Sequence, residues 1–347
     1  TGNVGLVADY STFSIDGYRQ QSSAERKQLN SVITVDAKPD TRFKFIVNIF
    51  DMPIAKDPIG LTKDGLSTPD KVVSTSVISN NSRKTVKQEQ VGAVAEHRVN
   101  SDLQFQARVY GGTRTNLQYQ SFGKWVGLDR RFEGLGLQAN GKGSVLNGHK
   151  VTWVAGMDYD HAQEQRQAGA SPGGEKTGPV TRNELNEASN RDYFAQANWS
   201  LGERYTLTTG VRQSNVTLKS RDDMPITPSD PDGTGSVKYK ATSPVLGFTW
   251  HAQENLNLYA NYGKGFETPT LAEMAYLPKP GSNTLLIGQF NTTLNASSSQ
   301  HYELGTKWVP TENARIDLAL YQIDTVDEIV VLRNSQGQNA FQNAPGT

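Results

Sequence analysis

Basic side chains stand near the ends of polar segments at Arg83, Lys84, Arg114, Arg130, Arg131, Lys238, Lys240 and Arg333. Guanidinium and ammonium groups hold carboxylates and phosphates through charge-assisted hydrogen bonds. A set of this kind suits a site for an anionic or polar solute. The same residues would equally serve lipopolysaccharide phosphates outside a membrane, or pair with acids inside a pore. Phe266 and Tyr276 offer rings for stacking on a planar solute, or for packing within a loop. Lys44, Asp158, Asp160, Glu303 and Asp317 are expected to form structural ion pairs.

Catalytic and metal chemistry find little support. His97, His149, His161, His251 and His301 are dispersed and show no HExxH spacing. The nearest catalytic grouping would be His161 with Asp158 and Asp160. Asp51, Asp57 and Asp64 share one segment that could hold Ca²⁺ through carboxylates, but the spacing fits no EF-hand and Pro53 and Pro58 restrict it. Asp230-Pro-Asp232-Gly reads as a turn. No nucleophile elbow and no phosphate-cradling loop is present, so no catalytic residue, metal site or cofactor is expected.

The elements that would carry these residues are strands. Phe43, Phe45, Val47 and Ile49 alternate with Lys44, Ile46 and Asn48. The same period of two runs through Leu103–Tyr110, Val151–Asp160, Tyr193–Leu201, Ser243–Trp250 and Arg315–Tyr321. It places one face against something apolar and the other against water. Short polar turns are expected at Lys38–Thr41, Asn100–Asp102, Asn147–His149, Gly202–Arg204, Gln253–Asn255 and Pro310–Asn313. Long polar connections are expected at Asp51–Val86, His161–Asp192, Asn215–Val237 and Lys264–Gln300. Short turns on one side and long loops on the other are the asymmetry of an outer-membrane barrel.

Tryptophan adds weight to this reading. Trp153, Trp199, Trp250 and Trp308 each lie within a few residues of a short turn, on the apolar face of their strand. An indole prefers the membrane–water boundary, where its ring is dry and its N–H wet. A soluble β-sandwich also alternates, yet gives no reason for Trp to follow one class of turn. About 13 or 14 strands are expected, forming an all-β, transmembrane antiparallel barrel wall that is too short to close.

Composition agrees. The 347 residues carry 35 Lys and Arg against 35 Asp and Glu, which argues against a nucleic-acid protein. There is no cysteine, hence no disulfide framework. Only 35% of residues are hydrophobic, which suits a barrel because only alternate side chains need face lipid. The chain opens without an initiator Met and enters a strand almost at once, so an internal piece of a longer protein is expected.

Several stretches resemble TonB-dependent outer-membrane transporters. Leu258–Thr270 (LYANYGKGFETPT) is similar to their strand ending in Gly-x-Gly-Phe followed by Pro. Ser299–Lys307 (SQHYELGTK) resembles their Tyr-Glu-x-Gly-x-Lys strand, and Ala319–Val330 with Phe341–Ala344 (FQNA) resembles the next hairpin. Asp57–Thr62 (DPIGLT) resembles a loop of a siderophore-receptor-like branch. With Gly17–Arg19, Arg83–Gln88 and Gln118–Ser121, it is most similar to the branch that transports pyrroloquinoline quinone. Asn291–Ser299 and Pro345 depart from the family pattern.

The resemblance implies one barrel domain over residues 1–347, drawn from a 22-stranded barrel, from about its third strand to its sixteenth, without the plug. It implies uptake of a ferric siderophore or such a quinone, driven through a TonB–ExbB–ExbD complex, by a monomeric, non-enzymatic protein of the bacterial outer membrane. The competing readings are a passive porin-like or structural barrel, and a soluble β-rich adhesin or binding module.

Overall fold

A computed structural model describes residues 2–67, 73–145, 148–228, 230–282, 286–335 and 338–346. The chain runs up and down through β1 (Val4–Ile15), β2 (Ala24–Lys38), β3 (Thr41–Lys56), β4 (Arg83–Arg98) and β5 (Leu103–Tyr119). It continues through β6 (Lys124–Val145), β7 (His149–Ala170), β8 (Thr177–Leu201), β9 (Tyr205–Asp222), β10 (Gly235–Gln253) and β11 (Leu256–Glu267). Two short strands, β12 (Leu277–Pro278) and β13 (Leu286–Ile287), precede β14 (Ser297–Thr311) and β15 (Ala314–Val326). A last hairpin joins β16 (Glu328–Ser335) to β17 (Gln338–Ala344).

Thirteen of these strands form one antiparallel sheet in the order β1 to β11, β14, β15, each paired with its neighbours. β1 and β15 are its two edges, so the wall is partial and unclosed. Strand pairing aligns the apolar sets across the sheet. Phe45 lies opposite Ala93, Ala93 opposite Val109, and Val109 opposite Leu135. Phe248 lies opposite Ala260, and Ala260 opposite Leu304. Many of these side chains are openly exposed, among them Phe45 at 46% and Leu304 at 62%, so this face is built to meet something other than water.

The opposite face is polar and tied together laterally. Lys44 binds Glu96 at 2.8 Å, and Arg108 binds Asp158 at 2.9 Å. Arg212 bridges Asp192 and Asp158, while Tyr110 donates to Asp160 and Tyr259 to Glu303. Small residues make room for these rings. A Cβ on Gly134 would meet the Tyr110 ring, and one on Gly156 would meet both the Leu137 carbonyl and the Phe194 ring.

The short turns fall where the sequence places them. Only Pro39 and Asp40 separate β2 from β3, and only Gly202, Glu203 and Arg204 separate β8 from β9. Asn147 of the predicted Asn147–His149 turn lies outside the described residues. Trp153, Trp199, Trp250 and Trp308 sit on the apolar face at this turn end, where Tyr205 also stacks on Phe248 with centroids 5.7 Å apart.

The other end differs from expectation. The predicted loops His161–Asp192 and Asn215–Val237 are largely strand: β7 reaches Ala170, β8 begins at Thr177, and β9 reaches Asp222. The reason is that Gln163–Gln167 are polar on both faces and Glu184–Asn190 nearly so, with only Leu185 and Ala188 apolar, as strands standing in water must be. Alternation, the signal for a strand, disappears there although the backbone ladder continues.

Candidate functional site

At this long-strand end, six segments converge on a cavity of about 260 Å³. Lys124 and Trp125 of β6, Ala168 of β7, Arg182 and Glu184 of β8, Asp222 at the end of β9 with Asp230 beyond it, Tyr276 of the β11–β14 connection and Gln338 of β17 line it. A larger groove of about 680 Å³ lies elsewhere, between Phe43, Phe105, Leu137, Met157 and Tyr193. It opens on the apolar face and the surface it exposes is almost wholly apolar, so lipid contact explains it better than solute binding.

The β11–β14 connection forms the cavity's cover. Arg182 is buried, pairs with Glu184, and donates from Nη2 to the Ala275 carbonyl at 2.7 Å. Its guanidinium lies 4.4 Å from the Tyr276 ring centroid. Arg166 approaches the same ring at 5.3 Å and donates to the Tyr276 hydroxyl at 2.9 Å. Tyr276 is thus clamped by two cations, each gaining from the ring's negative faces. Burial opposes the charge on Arg182, but Tyr276 and Glu184 outweigh it and hold its pKa above the ordinary value.

Deeper in, Met274, Phe290 and Leu294 pack on Leu218 and Tyr239, and the Tyr239 hydroxyl donates to the Leu294 carbonyl at 2.7 Å. Asn343 fastens the other flank. Its amide reaches the carbonyls of Asn295 at 3.1 Å and Asp327 at 2.7 Å, while its Oδ1 accepts from the Asn295 N–H.

The cavity's charges are two cations, Lys124 and Arg182, against three carboxylates, Glu184, Asp222 and Asp230. Asp222 is occupied in closing its own loop, accepting from the N–H groups of Met224 and Gly233. Asp232 likewise accepts from the Thr234 N–H, while the backbone turn of this loop closes one step earlier, between Thr227 and Asp230. Lys176, which does not line the cavity, holds its ammonium 3.8 Å from the Trp125 ring centroid.

Burial, and then the Asp222 carboxylate, raise the pKa of Asp230 above the usual carboxylate range. A carboxyl with a raised folded-state pKa favours the packed loop below its unfolded pKa, and that contribution is lost as pH rises through the folded value. Hydrogen exchange of residues 222–235, followed between about pH 4 and 7, should therefore speed up with pH beyond its intrinsic rise. The Asp230→Asn variant should remove the excess. An unchanged profile in the variant would show that Asp230 is not the titrating group.

Of the residues singled out from sequence, Tyr276 lines this cavity, whereas the eight basic residues and Phe266 do not. Arg83 stacks 3.9 Å over Tyr119 and donates to the carbonyls of Asn81 and Gly174, stapling β4 to the β7–β8 connection. Lys84 pairs in register with Gln118 at the start of β4. Arg114 donates to Gln88 at 2.6 Å and Arg130 binds Glu164 at 2.6 Å, both on the polar face. Arg131, Lys238 and Lys240 point from the other face of the sheet, in line with the apolar side chains below them. Arg333 donates to the Ser282 carbonyl at 2.9 Å, and Phe266 packs against the cluster around Met274.

His161 turns away from Asp158 and Asp160, and its Nδ1 lies 3.7 Å from Glu133. Asp57 accepts from the Ile59 N–H at 2.8 Å. Sequence reasoning missed Arg166, Arg182, Glu184 and Lys124. The available signal was weak: an Arg-x-Glu placed where strand alternation had faded.

The architecture is that of a membrane-spanning antiparallel barrel wall with a loop-covered polar cavity at one rim. The chain belongs to the TonB-dependent receptor-like β-barrel family, whose model matches residues 29–347. Proteins of this family are outer-membrane receptors and transporters rather than enzymes.

Solved structures show the same fold. The unliganded ferric citrate transporter FecA superposes with a TM-score of 0.74 at 16% identity, covering 94% of this chain and 47% of that one. The closed form of the ferric-catecholate import receptor Fiu from E. coli K12 gives 0.71 at 14% identity, covering 99% and 57%. The siderophore receptor PiuA from Acinetobacter baumannii gives 0.72 at 12% identity, covering 99% and 56%. The chain therefore spans about half the length of these proteins.

Proposed function

We propose that the receptor containing this chain imports a scarce polar solute across the outer membrane, energised through a TonB–ExbB–ExbD complex. The observation that supports this most is the family match across residues 29–347, joined to a covered polar cavity at the rim opposite the short turns. A passive pore has no need of a segment clamped over its mouth by Arg166, Arg182, Tyr239 and Asn343.

Two solute classes follow from the sequence: a ferric siderophore, or a redox cofactor such as pyrroloquinoline quinone. The cavity weighs between them. Its carboxylates outnumber its cations, so a chelate presenting neutral or cationic groups meets less repulsion than a free polycarboxylate such as the quinone. The aromatic walls, Trp125 and Tyr276, suit flat ring systems in either case. The siderophore class is the better supported.

Calorimetry on the full-length receptor in detergent tests the reading, titrating a panel of ferric siderophores and pyrroloquinoline quinone. Sub-micromolar binding of one ferric siderophore, without binding of the quinone, is the expected result. Tight binding of the quinone alone would overturn the charge argument and keep the transporter. Silence across the whole panel would return the barrel to the passive-pore reading.

A further inference from the structure

The apolar face of β8, β9 and β10 ends abruptly in cations. Along β10 the outward residues Trp250, Phe248, Leu246, Pro244 and Thr242 give way to Lys240 and Lys238. On β8 the sequence of outward residues is Trp199, Ala197, Ala195, Tyr193 and then Arg191. The register aligns these changes: Tyr159, Arg191, Asn215 and Lys240 form one row, and His161, Ser189, Thr217 and Lys238 form the next.

The height of this row is set by strand geometry. Ten residues separate Lys240 from the girdle residue Trp250. At about 3.3 Å per residue and a tilt of roughly 40°, Lys240 stands about 25 Å above it. That is the thickness of the apolar band of an outer-membrane barrel. The cations therefore stand where lipid headgroups begin. Strand spacing of about 4.8 Å places Arg191 and Lys240 about 10 Å apart across β9, with Lys238 about 7 Å further along β10.

No ion pair occupies them. Arg191, Lys238 and Lys240 are exposed, and none is bridged to a carboxylate among the described residues. Arg191 rests 5.7 Å from the Tyr159 ring centroid, which holds its guanidinium at this level. The outward acids nearby already have partners: Glu133 faces His161, and Glu187 lies 3.5 Å from Lys219. Lys264, on the same face of β11, and Arg131, on β6, add to the positive character.

We propose that Arg191, Lys238 and Lys240 form an outward-facing site for the phosphates of an outer-leaflet glycolipid. Its acyl chains lie on the apolar face below, against Tyr193, Leu246 and Phe248. Three cations spread over about 10 Å suit a headgroup with two phosphates better than a single free anion. This assigns Lys238 and Lys240 to the lipid rather than to the imported solute.

Native mass spectrometry of the full-length receptor in detergent tests the site. The probes are bisphosphorylated lipid A, dephosphorylated lipid A and inorganic phosphate. The wild type should retain the bisphosphorylated lipid at least tenfold better than the dephosphorylated one, and millimolar inorganic phosphate should not displace it. The triple variant Arg191→Gln, Lys238→Gln, Lys240→Gln should lose at least tenfold in retention, while Arg315→Gln, near the short-turn end, should lose none.

Equal retention of the two lipids by the wild type would sink the proposal, as would full retention by a triple variant that keeps the heat-modifiable migration of a folded barrel. Displacement by inorganic phosphate would reduce the site to one for free anions. Should the triple variant fail to fold, the two-lipid comparison on the wild type decides alone. Solute binding by calorimetry should be the same in wild type and triple variant, which separates this site from the cavity.

Discussion

Replacing Arg182 by methionine is expected to free the β11–β14 connection from the cavity wall. The substitution removes the donor to the Ala275 carbonyl and one of the two cations against Tyr276. It also leaves Glu184, 4% exposed, facing only Arg166 at 3.8 Å. Stranding one member of a buried ion pair costs about 3–5 kcal/mol, and the remaining arginine argues for the lower figure. At about 1.4 kcal/mol per tenfold, the open form of the segment should rise by roughly a hundredfold.

Hydrogen exchange of residues 270–282 in the full-length receptor measures this. The double variant Arg182→Met, Glu184→Leu should regain much of the protection, because an apolar pair replaces the buried charges. Unaltered exchange in the single variant would mean that the hydrophobic cluster around Met274 and Phe290 holds the segment unaided.

The second large effect concerns assembly of the wall. Gly156→Val should abolish it, because a Cβ there would lie 2.4 Å from the Leu137 carbonyl oxygen and 2.7 Å from the Phe194 ring. The oxygen belongs to the neighbouring strand's backbone, so relief requires the β6–β7 ladder to separate locally. Such overpacking typically costs about 1–3 kcal/mol, and a broken ladder within a membrane costs more. Gly143→Val is the matched control, since nothing lies within 4 Å of its added Cβ. Heat-modifiable migration should vanish for the first variant and persist for the second.

The barrel wall was legible in the sequence wherever one face meets lipid, because there the pattern has two distinct faces. That covers Phe43–Ile49, Leu103–Val109 and the turns from Pro39 to Asn313. It was not legible in the upper halves of β7 to β9, which read as loop. Residues such as Gln165 and Asn186 are polar whichever way they point, so no period survives.

The family motifs gained a physical meaning only in three dimensions. Arg19 of the GYR run donates to the carbonyls of Pro58 and Ile59 in DPIGLT, about forty residues on. Arg83 of RKTVKQ stacks on Tyr119 of QYQS. Asn343 of FQNA fastens Asn295. Each motif is half of a contact.

The cavity was the least visible feature. Arg182, Asp230, Tyr276 and Gln338 are spread over more than 150 residues, and no local spacing relates them. The strand parity of Lys238 and Lys240 was readable, since Tyr239 alternates with them. The basic side chains near a rim were grouped there without regard to face.

The height of the β7–β8 ribbon bears on what the cell shows to its surroundings. From Tyr159 to Ala170 it climbs about 28 Å beyond the lipid, and its ladder is continuous up to Ala168. Antibodies and phages would therefore meet a stiff, twisted plank rather than a floppy tether. Alternate residues of one strand face opposite ways, so a bound antibody reads Gln163, Gln165 and Gln167 together with partners on β8. A synthetic peptide copied from this stretch would not reproduce that epitope, and immunisation would need the folded hairpin.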